Sequence, residues 1–242
     1  MSDLKNVCKN LRLAYIADIY ESIEWTGHTE YVTALLQKEL ALREQAKAQR
    51  LIKKAELPIN KTLENYEWSK TTMHFPQQMD REDLTSLSFI QRRENLILSG
   101  SPGTGKSHLA SALGRKACEQ GHEVRFFRVS DLVSSLERLW KERKLEAFRN
   151  RLKSANMIIL DEMGYVPFSK EGAELLFQLV TDWYEQTSLI ITSNLEFSQW
   201  NRIFVDSRLT AALVDRVVHH AHIITFSGDS YRVTHAMSRT IK

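Results

Sequence analysis

Eight residues constrain this chain more than any others. Gly100 to Ser107 read GSPGTGKS and fit the pattern G-x-x-x-x-G-K-[ST]. The residues just before, NLILS, are a short apolar run suited to a buried strand. The residues just after, KSHLASALGRKACEQG, have helical spacing and close on Gly121, a residue suited to the position past a helix end. Glycines let backbone N–H groups turn toward phosphate oxygens with no Cβ in the way. A helix beginning at Lys106 points its positive end at the anion. The pattern assigns Gly100, Ser101, Pro102, Gly103, Thr104, Gly105, Lys106, Ser107 and His108 to nucleotide binding. Lys106 would reach the β- and γ-phosphates of ATP, and Ser107 would ligate Mg²⁺.

The surrounding text alternates between strand and helix. EVRFFRV, MIILDE, SLIITSN and HIITFS read as strands. Between them, helices open at DLVSSLERLWKERK, with Ser130 or Asp131 as cap, and at GAELLFQLVTDWYEQ and SRLTAALVDRVVH; LEAFRNRLKSA continues the first or forms another. That alternation predicts an α/β domain built on a parallel sheet. LTSLSFIQRR is read as one short helix ahead of it.

MIILDE is a buried strand that ends in two carboxylates, Asp161 and Glu162, at the end where open α/β sheets bind ligands. With a phosphate loop in the same sheet, Asp161 would hold Mg²⁺ and Glu162 would polarise the water that attacks the γ-phosphate. SLIITSN ends in Asn194, which could hold that water. A carboxylate aimed at water implies hydrolysis rather than phosphoryl transfer to a small molecule.

The first fifty-odd residues have a different character. LKNVCKNLRLAYIADIYESIEW is read as one amphipathic helix, TGHTEY as a break with Thr29 as cap, and EYVTALLQKELALREQAKAQRLIKKAEL as a long helix that turns basic. Pro58, Pro76 and polar clusters mark a linker. The expected division is a helical module with its linker over 1–64 and a nucleotide domain over 65–242. The net charge of +3 permits nucleic-acid binding without arguing for it. Cys8 and Cys118 lie far apart and make no metal spacing, as expected of reduced thiols in a cytoplasmic protein. The N-terminus has no signal-peptide pattern, and no apolar run nears the ~20 residues that span a bilayer.

GSPGTGKSHLA, IILDEMGYVPF, LIITSNLEFSQW and LVDRVVHHAHIITFSGDSYR together resemble AAA+ ATPases of the IstB type, the helper ATPases of bacterial insertion sequences that act with an IstA-type transposase. The segment from Leu40 to Gln45 and LENYEW are weaker points of likeness. The family is similar to the helicase loader DnaC and, more distantly, to DnaA. The resemblance implies that Lys106 and Ser107 bind the nucleotide, that Asp161 and Glu162 act as the acidic pair, and that Asn194 is the first sensor. It also makes Arg216 an arginine finger given to a neighbouring subunit and Arg232 a second sensor. It implies a homo-oligomer formed with ATP, and a fold without a C-terminal lid.

RLWKERKLEAFRNRLK carries Arg138, Lys141, Arg143, Lys144, Arg149, Arg151 and Lys153. A basic segment here would contact the phosphates of duplex DNA with weak sequence preference. The expected function is an ATP-dependent DNA-binding protein that regulates a transposase. A DnaC-like helicase loader is the alternative.

Overall fold

The computed structural model describes residues 2–25, 27–165, 167–204 and 206–233. The chain enters through α1 (Ser2–Asn10), α2 (Ile16–Ile19) and the long α3 (His28–Ala55). A short β1 (Thr72–His74), α4 (Arg81–Ser86) and α5 (Ser88–Arg92) follow. Strands and helices then alternate as β2 (Asn95–Gly100), α6 (Lys106–Glu119), β3 (Val124–Arg128), α7 (Val129–Lys141), α8 (Leu145–Leu152) and β4 (Met157–Met163). The chain continues through α9 (Lys170–Trp183), β5 (Ser188–Ser193), α10 (Ser207–Val218) and β6 (Ala221–Ser227).

The strands form one sheet in the order β1-β6-β2-β5-β4-β3. All neighbours pair in parallel except β1, which runs antiparallel to β6. Both faces of the sheet are covered, which is why its central strands are almost continuously apolar. Successive residues alternate between two cores. Ile97, Ile158, Leu160 and Ile191 join a cluster with α7, α9 and α10. Leu96, Leu98, Ile159 and Ile190 join a second with α6 and the end of α3.

The N-terminal part departs from the single amphipathic helix expected there. Helix α1 stops at Asn10, and Arg12 takes a left-handed φ of 56°. The cause is a distant residue. Glu39 on α3, only 2% exposed, accepts hydrogen bonds from the backbone N–H groups of Ala14 (2.7 Å), Tyr15 (2.7 Å) and Ile16 (2.9 Å), and it pairs with Arg43. Burial pushes the Glu39 carboxyl up, but Arg43 and the backbone donors outweigh it and hold the group below its ordinary range. The long helix begins at His28 with Gly27 as its cap, not Thr29. Its last turns belong to the core: Leu51, Ile52 and Ala55 pack in the cluster with α6.

Three smaller boundaries also shifted. The segment read as linker contains β1. The helix before β2 is two, broken at Leu87 with φ 64°. Helix α7 starts one residue before Ser130, and neither Ser130 nor Asp131 caps it. LEAFRNRL is a separate helix, α8.

Candidate nucleotide site

The site forms at the C-terminal end of the parallel strands. The register places Ser99 of β2 against Ser193 of β5, and Gly100 against Phe226 of β6. Gly100 must be glycine: with φ 139°, a Cβ there would lie 2.0 Å from the Phe226 carbonyl oxygen. Gly103 has a related role. A Cβ would meet the Ser230 hydroxyl at 2.1 Å, and the Tyr231 N–H donates to the Gly103 carbonyl at 3.0 Å. The GDSYR segment therefore closes against the phosphate loop and carries Arg232 to its edge.

Pro102 to His108 border a cavity of about 460 Å³, which Glu162, Thr192, Asn194 and Arg232 also line. Gly100 and Ser101 stand behind it. Their carbonyls accept hydrogen bonds from Lys106 Nζ, at 2.7 Å each. Lys106 is only 8% exposed. Burial lowers its pKa to about 8, the charge of Asp161 acting in the opposite direction and Arg232 adding to the depression. A nearby phosphate would favour the charged form and offset the cost of burying it.

The two carboxylates are set by one hydroxyl. Thr192 Oγ1 donates to Asp161 Oδ1 at 2.5 Å and accepts from the Glu162 N–H at 3.0 Å. The pairing of β4 with β5 slips between Leu160 and Met163, and Glu162 takes a left-handed φ of 62°. Such a conformation is costly outside glycine and is found where a side chain must be aimed. The slip turns Glu162 into the cavity while Asp161 stays buried beneath it. Ser193 secures the far side, its hydroxyl donating to the Met163 carbonyl at 2.8 Å. Asn194 Oδ1 is buried with no hydrogen-bond partner among the described residues. It is an acceptor that an N–H or O–H donor at the cavity could reach. Ser107 lines the cavity and Asp161 lies buried beneath it; hydroxyl and carboxylate oxygens are the donor type that could hold Mg²⁺.

Two contributors were not singled out from the sequence. Thr192 is one; a hydroxyl residue within a buried apolar strand was its only signal. The other is a strap of residues 60–71, of which Asn60, Lys61, Asn65, Tyr66 and Thr71 line the cavity. His108 fastens this strap rather than facing the cavity alone. Its Nε2 lies 3.1 Å from the Thr62 carbonyl, and its ring meets Tyr66 edge-on at 5.2 Å.

Two expected groups lie elsewhere. Arg216 does not line the cavity; it donates to the Ala212 carbonyl at 2.9 Å and lies over the Phe177 ring at 4.9 Å. The basic residues of α7 and α8 divide. Arg149 makes paired 2.7 Å bonds to Asp182 and one of 2.8 Å to Glu146, so its guanidinium is held within the chain. Lys144 pairs with Glu142, and Arg151 lies over Phe148. Arg138, Lys141, Arg143 and Lys153 are exposed.

Solved structures share this fold. The DnaC helicase loader superposes with a TM-score of 0.53 at 25% identity, over 70% of this chain and 98% of that one. DnaA bound to AMPPCP and single-stranded DNA gives 0.56 at 19% identity, over 72% of this chain and 52% of that one. The match thus spans about half the length of that DnaA chain. Fold and site together define a P-loop nucleotide-binding protein of the AAA+ class. Within that class, the chain belongs to the family of IstB-like ATP binding proteins, whose model matches residues 10–239. A protein of Pseudomonas aeruginosa, named for ATP binding in insertion sequence IS21, is 36% identical over 96% of this chain and 89% of its own length. One from Geobacillus stearothermophilus, named likewise for IS5376, is 34% identical over 93% and 92%.

Proposed function

We propose that this protein hydrolyses ATP, assembles with other copies on duplex DNA, and regulates the IstA-type transposase of an insertion sequence. The observation that carries the hydrolytic part is the convergence of Lys106, Glu162 and Asn194 on one cavity. The naming of its relatives for insertion sequences supports the biological setting.

The residues divide the work by chemistry. Lys106 exchanges two carbonyl partners for the β- and γ-phosphates of ATP. Ser107 and Asp161 would hold Mg²⁺, which would neutralise phosphate charge. Glu162 orients the attacking water and takes up its proton, and Asn194 fixes the water's other side. Arg232 adds positive charge from the same chain. Arg216, which does not line this chain's cavity, serves the γ-phosphate held by a neighbouring copy. That role makes turnover depend on assembly. Arg138, Lys141, Arg143 and Lys153 supply DNA contacts to phosphates without reading sequence. The 1–64 and 65–242 division remains our reading of the organisation, with the end of α3 docked on the sheet. No helix among the described residues is long and apolar enough to cross a membrane, in keeping with a cytoplasmic site of action.

The likeness to DnaC favours one second reading, a helicase loader. Glu162→Gln tests the shared chemistry and the choice together. The variant should bind ATP and Mg²⁺, lose turnover, and hold long-lived assemblies on plain duplex visible by electron microscopy. Wild-type turnover would reduce Glu162 to a strand-end residue. Failure to bind duplex, with stable capture of a replicative helicase, would select the second reading.

A further inference from the structure

The end of the sheet opposite the nucleotide cavity carries a second group of ligating atoms. Glu185 precedes β5, and His219 and His220 precede β6, so two turns far apart in sequence meet at the N-terminal ends of parallel strands. One donor atom from each of the three residues lies within 4.8 Å of the other two. His220 Nε2 is 3.5 Å from Glu185 Oε1, and the two imidazole rings lie 4.1 Å apart. All three side chains are open to solvent, so an ion has access.

We propose that Glu185, His219 and His220 form a three-ligand site for a divalent transition metal of the Zn²⁺ class. Two imidazoles and a carboxylate match the donors that Zn²⁺ takes and do not suit Mg²⁺ or Ca²⁺. With metal–ligand bonds of about 2.0–2.1 Å, the donors of a tetrahedral site stand roughly 3.3–3.5 Å apart. The His220–Glu185 pair is already at that spacing, and all three donors lie within 4.8 Å of one another. Water fills the fourth position.

The surroundings support a ligand role for His219. The Tyr184 hydroxyl lies 2.8 Å from His219 Nδ1. With Nε2 on the metal, Nδ1 carries the proton and donates to the Tyr184 oxygen. That outer hydrogen bond fixes the ring and its tautomer, as metal-bound histidines require. The backbone beneath Glu185 is also fixed: its carbonyl accepts from Arg93 at 2.9 Å. Without a metal, the His220–Glu185 contact is an exposed pair of little energetic worth. A bound ion would tie the turn after α9 to the turn after α10, beside the helix that carries Arg216.

The test uses the full chain without nucleotide, titrated with Co²⁺ and then with Zn²⁺. The expected result is one equivalent of Co²⁺ with tetrahedral visible absorption, displaced by Zn²⁺. The signal should vanish in the His219→Ala, His220→Ala double variant and persist in Asp161→Asn, which separates it from the nucleotide site. Tyr184→Phe should weaken binding by roughly tenfold, the scale of losing an outer-shell partner. Glu185→Gln, a milder change less able to disturb folding, should also weaken it. No absorption in the wild-type protein would overturn the proposal. So would undiminished absorption in the double-histidine variant with circular dichroism showing it folded, or in Glu185→Gln.

Discussion

The nucleotide cavity and the basic segment of α7 and α8 both contain positively charged residues that the sequence marks for binding anions, yet they are built in opposite ways. Lys106 is buried, hydrogen-bonded to two carbonyls, and depressed in pKa to about 8. Arg138, Lys141, Arg143 and Lys153 stand in solvent, while Arg149 is held by Asp182 and Glu146. A buried cation is set for one ligand in one place. Exposed cations act by number and proximity, and an individual one can be diverted to stability without harm to the rest.

The largest expected effect lies in the cavity. Lys106→Ala should lower ATP affinity by roughly 10²-fold or more, since charge-assisted hydrogen bonds of about 1.5–3 kcal/mol each are lost. Equilibrium binding of a fluorescent ATP analogue measures this. Unchanged affinity would remove the phosphate-loop reading and, with it, the contrast.

A pH titration sharpens the same point. The pKa of Lys106 in the nucleotide-free fold is lowered to about 8 from an ordinary 10.5. Below pH 8 the lysine is charged in both folded and unfolded chains. Between about 8 and 10.5 the unfolded chain binds more protons, so this group's contribution to stability rises with pH across that window. Nucleotide affinity moves the other way, because the phosphates need the charged form. From pH 7 to pH 9, ATP affinity should fall roughly tenfold. Calorimetric titrations at the two values, with net proton uptake at the higher one, check it. A flat profile would mean that Lys106 keeps an ordinary pKa.

The smallest effects distinguish residues within the basic segment. Arg149→Ala should lower the melting temperature by roughly 2–4 °C, the scale of about 1 kcal/mol in a chain of this size, and leave the salt dependence of DNA binding intact. Replacing Arg138, Lys141 and Arg143 by alanine should do the reverse. The slope of log affinity against log salt should shrink by about 0.9 for each cation that touches a phosphate. If Arg149→Ala changes the slope, Arg149 leaves Asp182 to bind DNA.

What the sequence disclosed follows from the same distinction. The loop, its strand and helix, and the acidic pair were legible because phosphate binding demands fixed residue types at fixed spacing. The buried strands were legible because covered faces require apolar runs. Strand β1 was not: three residues on a sheet edge leave no periodic signal, and its pairing with β6 is decided across 153 residues between His74 and Ser227. The break after α1 depends on Glu39, whose sequence context gives only a polar position in a helix. Thr192 and the strap with Tyr66 were missed because their roles exist only after the sheet brings β4, β5 and the phosphate loop together. The ion pair of Arg149 was not legible for a related reason: its partner Asp182 lies on α9.

Mixing two inactive variants tests most directly the proposal that a second copy completes the site. Arg216→Ala should bind ATP nearly as well as the wild-type protein but lose turnover by ~10³-fold or more, as when an arginine finger is absent. Lys106→Ala should be inactive for want of nucleotide. Mixed on duplex DNA, the two should recover part of the activity, because some interfaces join an intact phosphate loop to an intact Arg216. No recovery, with co-assembly of the two proteins demonstrated, would contradict the account and leave Arg216 as a residue of its own subunit.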